Sequence, residues 1–164
     1  MTLWKADSEE NPASNLLNFT GSLELDYRLY SYDIRGSIAW AAALREIDVF
    51  TAEEFSRVKE TLTAIEADIE AGEFEPDPEL EDIHMNIEAE LSRRLPELGP
   101  RLHTGRSRND QVLVDVKLYL KDVLADLEDN LSDLLTAFLQ RAREKQEVHL
   151  PGFTHLQPAQ PVTL

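Results

Sequence analysis

The sequence has no cysteine, which excludes disulfide bonds, thiolate metal ligands and a cysteine nucleophile. It also lacks any run of about 18 apolar residues, so we expect no membrane-spanning helix. The N-terminus has neither the basic segment nor the apolar segment of a signal peptide, and these absences together lead us to expect a cytoplasmic protein. The 164 residues, 42% of them hydrophobic, suffice for about one domain with a buried core.

Basic residues are scarce. The chain has 16 Lys and Arg against 32 Asp and Glu, which gives a formal net charge of −16. Because binding to a phosphate backbone needs a broad basic face, we expect no nucleic-acid partner. The sequence also shows no His, Asp and Glu cluster with metal-ligand spacing, and no glycine-rich phosphate loop before a helix. We therefore expect neither a metal nor a nucleotide cofactor.

Convincing strand patterns are missing as well, since apolar residues recur at three- and four-residue steps almost throughout. This periodicity predicts an all-α protein. We expect a first helix over residues 32–47 and a second from Thr51, which begins a capping box, to Gly72. A third helix is expected from Asp77, its N-cap, until Pro96 stops it.

The second half of the chain is predicted to form one long helix. No glycine or proline occurs from Asp110 to about Glu147, and at 1.5 Å per residue this stretch spans roughly 55 Å. We interpret its leucine-rich stripe, from Leu120 to Leu139, as the core seam of a helix bundle, which needs partner helices because the three shorter helices are too few to cover it. A turn-rich stretch follows, and the last residues, "PVTL", favour the opening of another helix, as in a fragment. We expect an N-terminal helical domain over 1–105 and, over 106–164, the start of a truncated central helix bundle.

A basic island stands at the start of this long helix, in the segment "HTGRSRNDQ" at residues 103–111. Arginines beside a helix N-terminus are unfavourable neighbours of the positive end of its dipole. Ser107 and Asn109 are good N-cap residues, so free N–H groups and guanidinium groups could together hold a carboxylate or phosphate. The alternative is an ordinary helix cap with solvated arginines. Physical chemistry alone leaves both interpretations open.

Four segments resemble a known family. "TGRSRNDQ" is similar to the first signature of the argininosuccinate lyases in the fumarase/aspartase superfamily, and "PGFTHLQPAQPVT" at 151–163 is similar to the second. "FTGSLELDYRLYSYDIRGS" at 19–37 and "EDIHMNIE" at 81–88 match further family segments. The N-terminal arm departs from the family pattern, because Trp4 is followed by "KADSEE" and Thr20 replaces the usual Asn.

The resemblance implies an enzyme that eliminates fumarate from argininosuccinate and releases arginine, without a cofactor, in arginine biosynthesis. It also implies a homotetramer around a helical core, with each active site assembled from different subunits. The third family signature, which carries the catalytic serine, would lie beyond Leu164. We therefore expect the 164 residues alone to be inactive.

Site residues follow from the same resemblance, position by position. His155 matches the catalytic acid/base histidine. The substrate contacts correspond to Ser22, Asp26, Arg108, Asn109 and Thr154. Supporting roles fall to Ser107, Gln111 and His84. Simpler interpretations exist for several of these: His84 lies on an apolar helix face and suits a hydrogen-bonded core histidine, Asp26 suits a helix cap, and Ser22 suits a plain turn.

The predicted long helix separates the "SRND" turn from the "THLQ" turn by roughly 55 Å, which is too far for one small substrate to touch both. Antiparallel packing of the same helix from other subunits would bring one molecule's first turn beside another's second. Two alternatives stay open. One is another lyase of the superfamily, such as adenylosuccinate lyase, and the other is a non-catalytic crystallin-like scaffold.

Overall fold

The computed structural model describes residues 20–163. The elements run in the order α1 (Leu23–Asp26), a 3-10 turn (Tyr27–Leu29), α2 (Tyr30–Glu46), α3 (Ala52–Glu70), α4 (Ile83–Arg94), a second 3-10 turn (Gly99–His103), α5 (Arg108–Lys145), β1 (His149–Thr154) and β2 (Gln157–Thr163). The predicted all-α class is confirmed, with one small hairpin added. None of the helices in this described range is long and apolar enough to cross a membrane.

The chain divides after Tyr119 into two compact units. In the first unit, α2, α3 and α4 pack around one core, and the second 3-10 turn packs on α2 and α4. The core consists of Ile34, Ala41, Leu44, Phe50, Val58, Leu62, Ile65, Ile69, Ile83, Ile87, Leu91, Leu95, Leu98 and Leu102. The second unit holds the remainder of α5 and the hairpin. The domain boundary proposed between residues 105 and 106 stays a prediction.

Helix α3 begins with the predicted capping box. Thr51 Oγ1 accepts from the backbone N–H of Glu54 (3.1 Å), and Glu54 Oε2 accepts from the backbone N–H of Thr51 (2.8 Å). Glu54 Oε1 also binds Arg101 Nη1 at 2.7 Å, so the same carboxylate ties the start of α3 to the second 3-10 turn. Gly72, with φ of 71°, follows the end of the helix as predicted.

The predicted start of the third long helix is wrong. Helix α4 begins at Ile83, and its N-cap is Asp82, whose Oδ1 accepts from the N–H of Met85 (2.6 Å). Asp77 instead caps a local turn by accepting from the N–H of Glu79 (2.9 Å). The backbone N–H of Asp77 donates to Asn86 Oδ1 (2.7 Å), which folds the preceding turn back onto α4.

Helix α5 is continuous over 38 residues, as predicted. Its leucine-rich stripe is not buried within the chain, which agrees with the expectation that the three shorter helices are too few to cover it. The stripe residues are between 38% and 65% exposed: Leu120, Val123, Leu124, Leu127, Leu131, Leu134, Leu135, Phe138 and Leu139. Apolar periodicity identifies a face that favours burial, and it does not say which molecule buries it.

The C-terminal segment forms an antiparallel hairpin rather than the start of another helix. Thr154 pairs with Gln157, which leaves His155 and Leu156 as a two-residue turn with φ values of 48° and 62°. Positive φ at both turn residues is typical of a type I′ turn, which matches the twist of paired strands. Two prolines are tolerated in β2 because both strands of a two-stranded sheet are edges.

Candidate functional site

The start of α5 is capped by Ser107. Ser107 Oγ accepts from the N–H of Asn109 (3.1 Å), and Asp110 Oδ2 accepts from the N–H of Ser107 (3.2 Å). The chain reaches this cap through Gly105, whose φ of 70° suits a residue without a side chain. Asn109 is exposed on the first turn, so its amide and the adjacent helix N-terminus face solvent. The predicted N-cap is confirmed, and anion binding there stays a prediction.

The guanidinium of Arg108 is held from two helices. Its Nη1 donates to Gln111 Oε1 on α5 (2.6 Å), and its Nη2 donates to Glu88 Oε2 on α4 (2.8 Å). Its Nε lies 4.0 Å from Asp82 Oδ2. A guanidinium has five N–H groups in a fixed plane, so these contacts orient it and leave further donors for a ligand.

Ser22 and Asp26 lie beside the beginning of α4. Ser22 Oγ donates to Asp26 Oδ2 (2.6 Å), and the other oxygen of Asp26 accepts from the N–H of Ile83 (3.0 Å). The Ser22 N–H also donates to the carbonyl of Glu81 (2.8 Å). Ser22 and Asp26 therefore lie at the N-terminal end of α4. Asp82, which lies 4.0 Å from Arg108, is the N-cap of the same helix end. Asp26 satisfies an N-terminal N–H of α4, which fits the helix-capping interpretation.

Asp33, His84 and Asp115 form a buried cluster in the first unit. Each of the three side chains is 1% exposed, and they come from α2, α4 and α5. His84 Nε2 is 3.0 Å from Asp115 Oδ2, and Gln111 Nε2 donates to Asp33 Oδ1. His84 is therefore a buried, hydrogen-bonded histidine, as its apolar helix face predicted. The sequence did not reveal the two carboxylates around it, because 31 or more residues separate each from His84.

Burial and charge shift the protonation of this cluster in known directions. Burial raises the pKa of Asp33 to about 6, although His84, the Gln111 amide and Arg106 act against that rise. Burial by itself would lower the pKa of His84, but the hydrogen bond to Asp115 and the charges of Asp33 and Asp82 raise it above its ordinary value. The cluster therefore retains a proton at a pH where isolated carboxylates have lost theirs.

Arg106 is a charged neighbour of the cluster. It is a partly buried guanidinium whose Nη1 donates to Ser37 Oγ (3.3 Å), and burial lowers its pKa while Asp33 acts in the opposite direction. Arg106 therefore places a positive charge beside the carboxyl group of Asp33.

Asp33, His84 and Asp115 each offer a ligand atom, and these atoms lie within 4.8 Å of one another, as a metal site would need. Such a site was not expected from the sequence. The hydrogen bond to Asp115 already engages His84 Nε2 at 3.0 Å, and Arg106 already supplies a positive charge beside Asp33. The residues therefore fit an internal ion cluster better than a metal centre.

The remaining candidates, Thr154 and His155, belong to the second unit. Thr154 is the last residue of β1, and His155 is the first residue of the hairpin turn, with an exposed side chain. In the first unit, the structure brings together the other predicted residues around the beginnings of α4 and α5. These are Ser22, Asp26, His84, Ser107, Arg108, Asn109 and Gln111.

Comparison with known proteins identifies the class. A model of a lyase family matches residues 10–164, and the chain therefore belongs to that family. The chain is 48% identical over 162 residues to the argininosuccinate lyase of Heliobacterium mobile, covering 99% of this chain and 35% of the relative. It is 47% identical over 161 residues to that of Hahella chejuensis (98% and 34%) and 45% identical over 164 residues to that of Alkaliphilus metalliredigens (100% and 36%).

The resemblance drawn from the signature segments is thereby confirmed. The chain spans about one third of the length of the curated relatives it matches.

Proposed function

We propose that this chain provides part of an argininosuccinate lyase, an enzyme that splits argininosuccinate into fumarate and arginine. The observation that carries the proposal is the 48% identity to a relative of that name, which extends over 99% of the chain. The match includes both signature segments, and these are the segments in which Ser107, Arg108, Asn109, Thr154 and His155 lie.

We propose that the start of α5 binds a carboxylate of the substrate. The N-terminus of a helix offers unpaired N–H groups and a positive dipole end, and both favour an anion. Arg108 adds a guanidinium that is already oriented by Gln111 and Glu88, and Asn109 adds an exposed amide on the same turn. Ser22 and Asp26, at the nearby end of α4, would contact another part of the substrate.

The elimination requires two proton transfers, one from a carbon of the substrate to a base and one from an acid to the leaving nitrogen. A base removes the proton from the carbon next to a succinyl carboxylate, the carbon–nitrogen bond breaks, and its electron pair passes to the guanidino nitrogen, which an acid protonates. The products are fumarate and arginine. We propose His155 as one of the two proton-transfer groups, because it lies in the second signature segment and its side chain is exposed on the hairpin turn.

We also propose that copies of this chain assemble along α5 into a homotetramer. The nine side chains of the leucine-rich stripe on this helix are 38% to 65% exposed, which is a long apolar surface for a single chain. A helix of 38 residues is about 57 Å long, so packing of identical helices would bury a correspondingly long seam. In such an assembly, each active site would combine the start of α5 from one subunit with the hairpin turn of another.

A chimera tests the activity. Residues 1–164 would replace the matching third of the Heliobacterium mobile enzyme, and fumarate release from argininosuccinate would be followed by ultraviolet absorbance. We expect turnover, and we expect Asn109→Ala and His155→Ala each to reduce kcat/KM at least about 100-fold. A chimera that assembles normally and yet fails to release fumarate would contradict the proposal.

Shared active sites give a further test with the same two variants. Each inactive variant retains one intact half of the proposed site. If Asn109→Ala and His155→Ala subunits are mixed and allowed to exchange, some sites receive both intact halves and activity should partly return. Two Asn109→Ala preparations mixed in the same way serve as the control and should stay inactive. Continued inactivity after verified exchange would contradict the shared site.

A further inference from the structure

A line of hydrogen bonds connects the buried ion cluster to the arginine at the start of α5. Gln111 Nε2 donates to Asp33 Oδ1, and Gln111 Oε1 accepts from Arg108 Nη1 at 2.6 Å. We propose that Gln111 is a positioning residue, whose amide is oriented by Asp33 and in turn holds the Arg108 guanidinium in its ligand-binding direction. This inference rests on the proposed function, in which Arg108 binds a substrate carboxylate.

The chemistry of the two neighbours determines which way the amide points. An ionised carboxylate only accepts hydrogen bonds, and a guanidinium only donates them. An amide has one accepting end and one donating end, so it can satisfy both neighbours in one orientation. The opposite orientation would put oxygen against Asp33 and NH2 against Arg108. Gln111 is 4% exposed, and it is therefore shielded from water that could replace either bond.

The carboxylate that orients the amide is itself held in place. Asp33 is 1% exposed, and His84 and Arg106 lie close enough to act on its charge. Its Oδ1 receives the Gln111 hydrogen bond, and its Oδ2 is buried without a hydrogen-bond partner among the described residues. Losing the Gln111 amide would remove this hydrogen bond to a buried carboxylate, which is strongly unfavourable.

On its other side, the guanidinium of Arg108 faces two acids of the α4 region. Glu88 accepts from Nη2 at 2.8 Å, and Asp82 Oδ2 lies 4.0 Å from Nε. Both carboxylates attract Arg108 by their charge, whereas Gln111 is a neutral group that accepts a hydrogen bond from Arg108 Nη1. Without Gln111, the guanidinium would be free to rotate towards these acids, and a substrate carboxylate would have to compete with them.

The test uses the chimera with the Heliobacterium mobile enzyme and four variants. Gln111→Leu removes both hydrogen bonds, and Gln111→Glu places a second carboxylate against Asp33. Asp33→Asn removes the charge that orients the amide. The double variant Asp33→Asn/Gln111→Glu exchanges the two groups and leaves the total charge unchanged. The new amide at position 33 can donate to the new carboxylate at position 111, and that carboxylate still accepts from Arg108. Gln146→Leu, at an exposed glutamine after α5, is the matched control.

We expect Gln111→Leu to raise KM for argininosuccinate at least about tenfold while kcat changes less than about threefold, because a binding contact is lost and the reacting groups are not. Gln111→Glu should be impaired more, and the double variant should recover most of that loss. Gln146→Leu should match the parent. An active chimera whose KM is unchanged by Gln111→Leu, or a double variant no better than Gln111→Glu, would overturn the inference.

Urea unfolding of the 164-residue chain tests the contact between Asp33 and Gln111 without an enzyme assay, so its result does not depend on the proposed function. We expect the effects of Asp33→Asn and Gln111→Glu on the free energy of unfolding to be non-additive, with the double variant more stable than the sum of the two changes predicts. Additive effects would overturn the inference whatever the enzyme assay shows. An assembled but inactive chimera with non-additive unfolding would instead contradict only the proposed function.

Discussion

Replacing Asp33 by Asn should change how the stability of this chain depends on pH. Asp33 has a pKa of about 6 in the folded chain against an ordinary value of 3.8, so the folded state binds its proton more tightly than the unfolded state does. A difference of this size between the two pKa values corresponds to about 3 kcal/mol. The contribution of Asp33 is therefore fully present below about pH 4 and is lost as the pH rises through about 6.

An asparagine has no proton to lose, so this dependence disappears in Asp33→Asn. We expect the free energy of unfolding of the wild type, minus that of the variant, to fall by about 2 kcal/mol, most of the full difference, between about pH 4 and pH 7. His84 acts in the same direction, because its raised pKa also makes a contribution that is lost as the pH rises. Measuring the difference between two proteins removes the contributions of carboxylates that both share.

Urea titrations at about pH 4, 5, 6 and 7, followed by far-ultraviolet circular dichroism, measure this difference. Asp126→Asn is the matched control, because Asp126 is an exposed carboxylate of α5, and it should follow the wild type at every pH. A difference between wild type and Asp33→Asn that is constant or rises with pH would refute the buried ion cluster as described.

Single features of the fold support three further predictions. Thr51→Ala should lower the free energy of unfolding by about 1 kcal/mol, because it removes the capping box with Glu54; a urea titration that shows no change would contradict it. Gly99→Ala should destabilise by about 1–3 kcal/mol, since a Cβ there would lie 2.6 Å from Ser92 Cα; an unchanged melting temperature would contradict it. Leu131→Glu should shift the chimera towards smaller species in analytical ultracentrifugation, and an unchanged sedimentation coefficient would argue against assembly along α5.

Features that depend on neighbours within a few residues could be predicted from the sequence. The capping box at Thr51 needs only residues three apart, and the length of α5 follows from an uninterrupted run without glycine or proline. The burial of His84 followed from its position on an apolar face of α4. The signature segments likewise indicated the lyase family, because they are short and contiguous.

The beginning of α4 could not be predicted in this way, because two aspartates compete for the N-cap position. Asp77 and Asp82 both precede apolar residues at helical spacing, and local rules favour neither. One contact at the actual start of α4 comes from Asp26, which accepts the N–H of Ile83 from 57 positions away. The hairpin was missed for a different reason. Its two turn residues, His155 and Leu156, have positive φ values, and neither residue type is typical of such a turn.

The sequence by itself determined the long helices of this protein apart from the start of α4, the cap at the start of α5 and the family, because hydrophobic spacing and capping act over three or four residues. Only the tertiary structure decided that Asp33, His84 and Asp115 meet in one buried cluster and that Gln111 joins this cluster to Arg108. The physical reason is distance along the chain: these side chains come from three different helices, and their contacts exist only once those helices have packed.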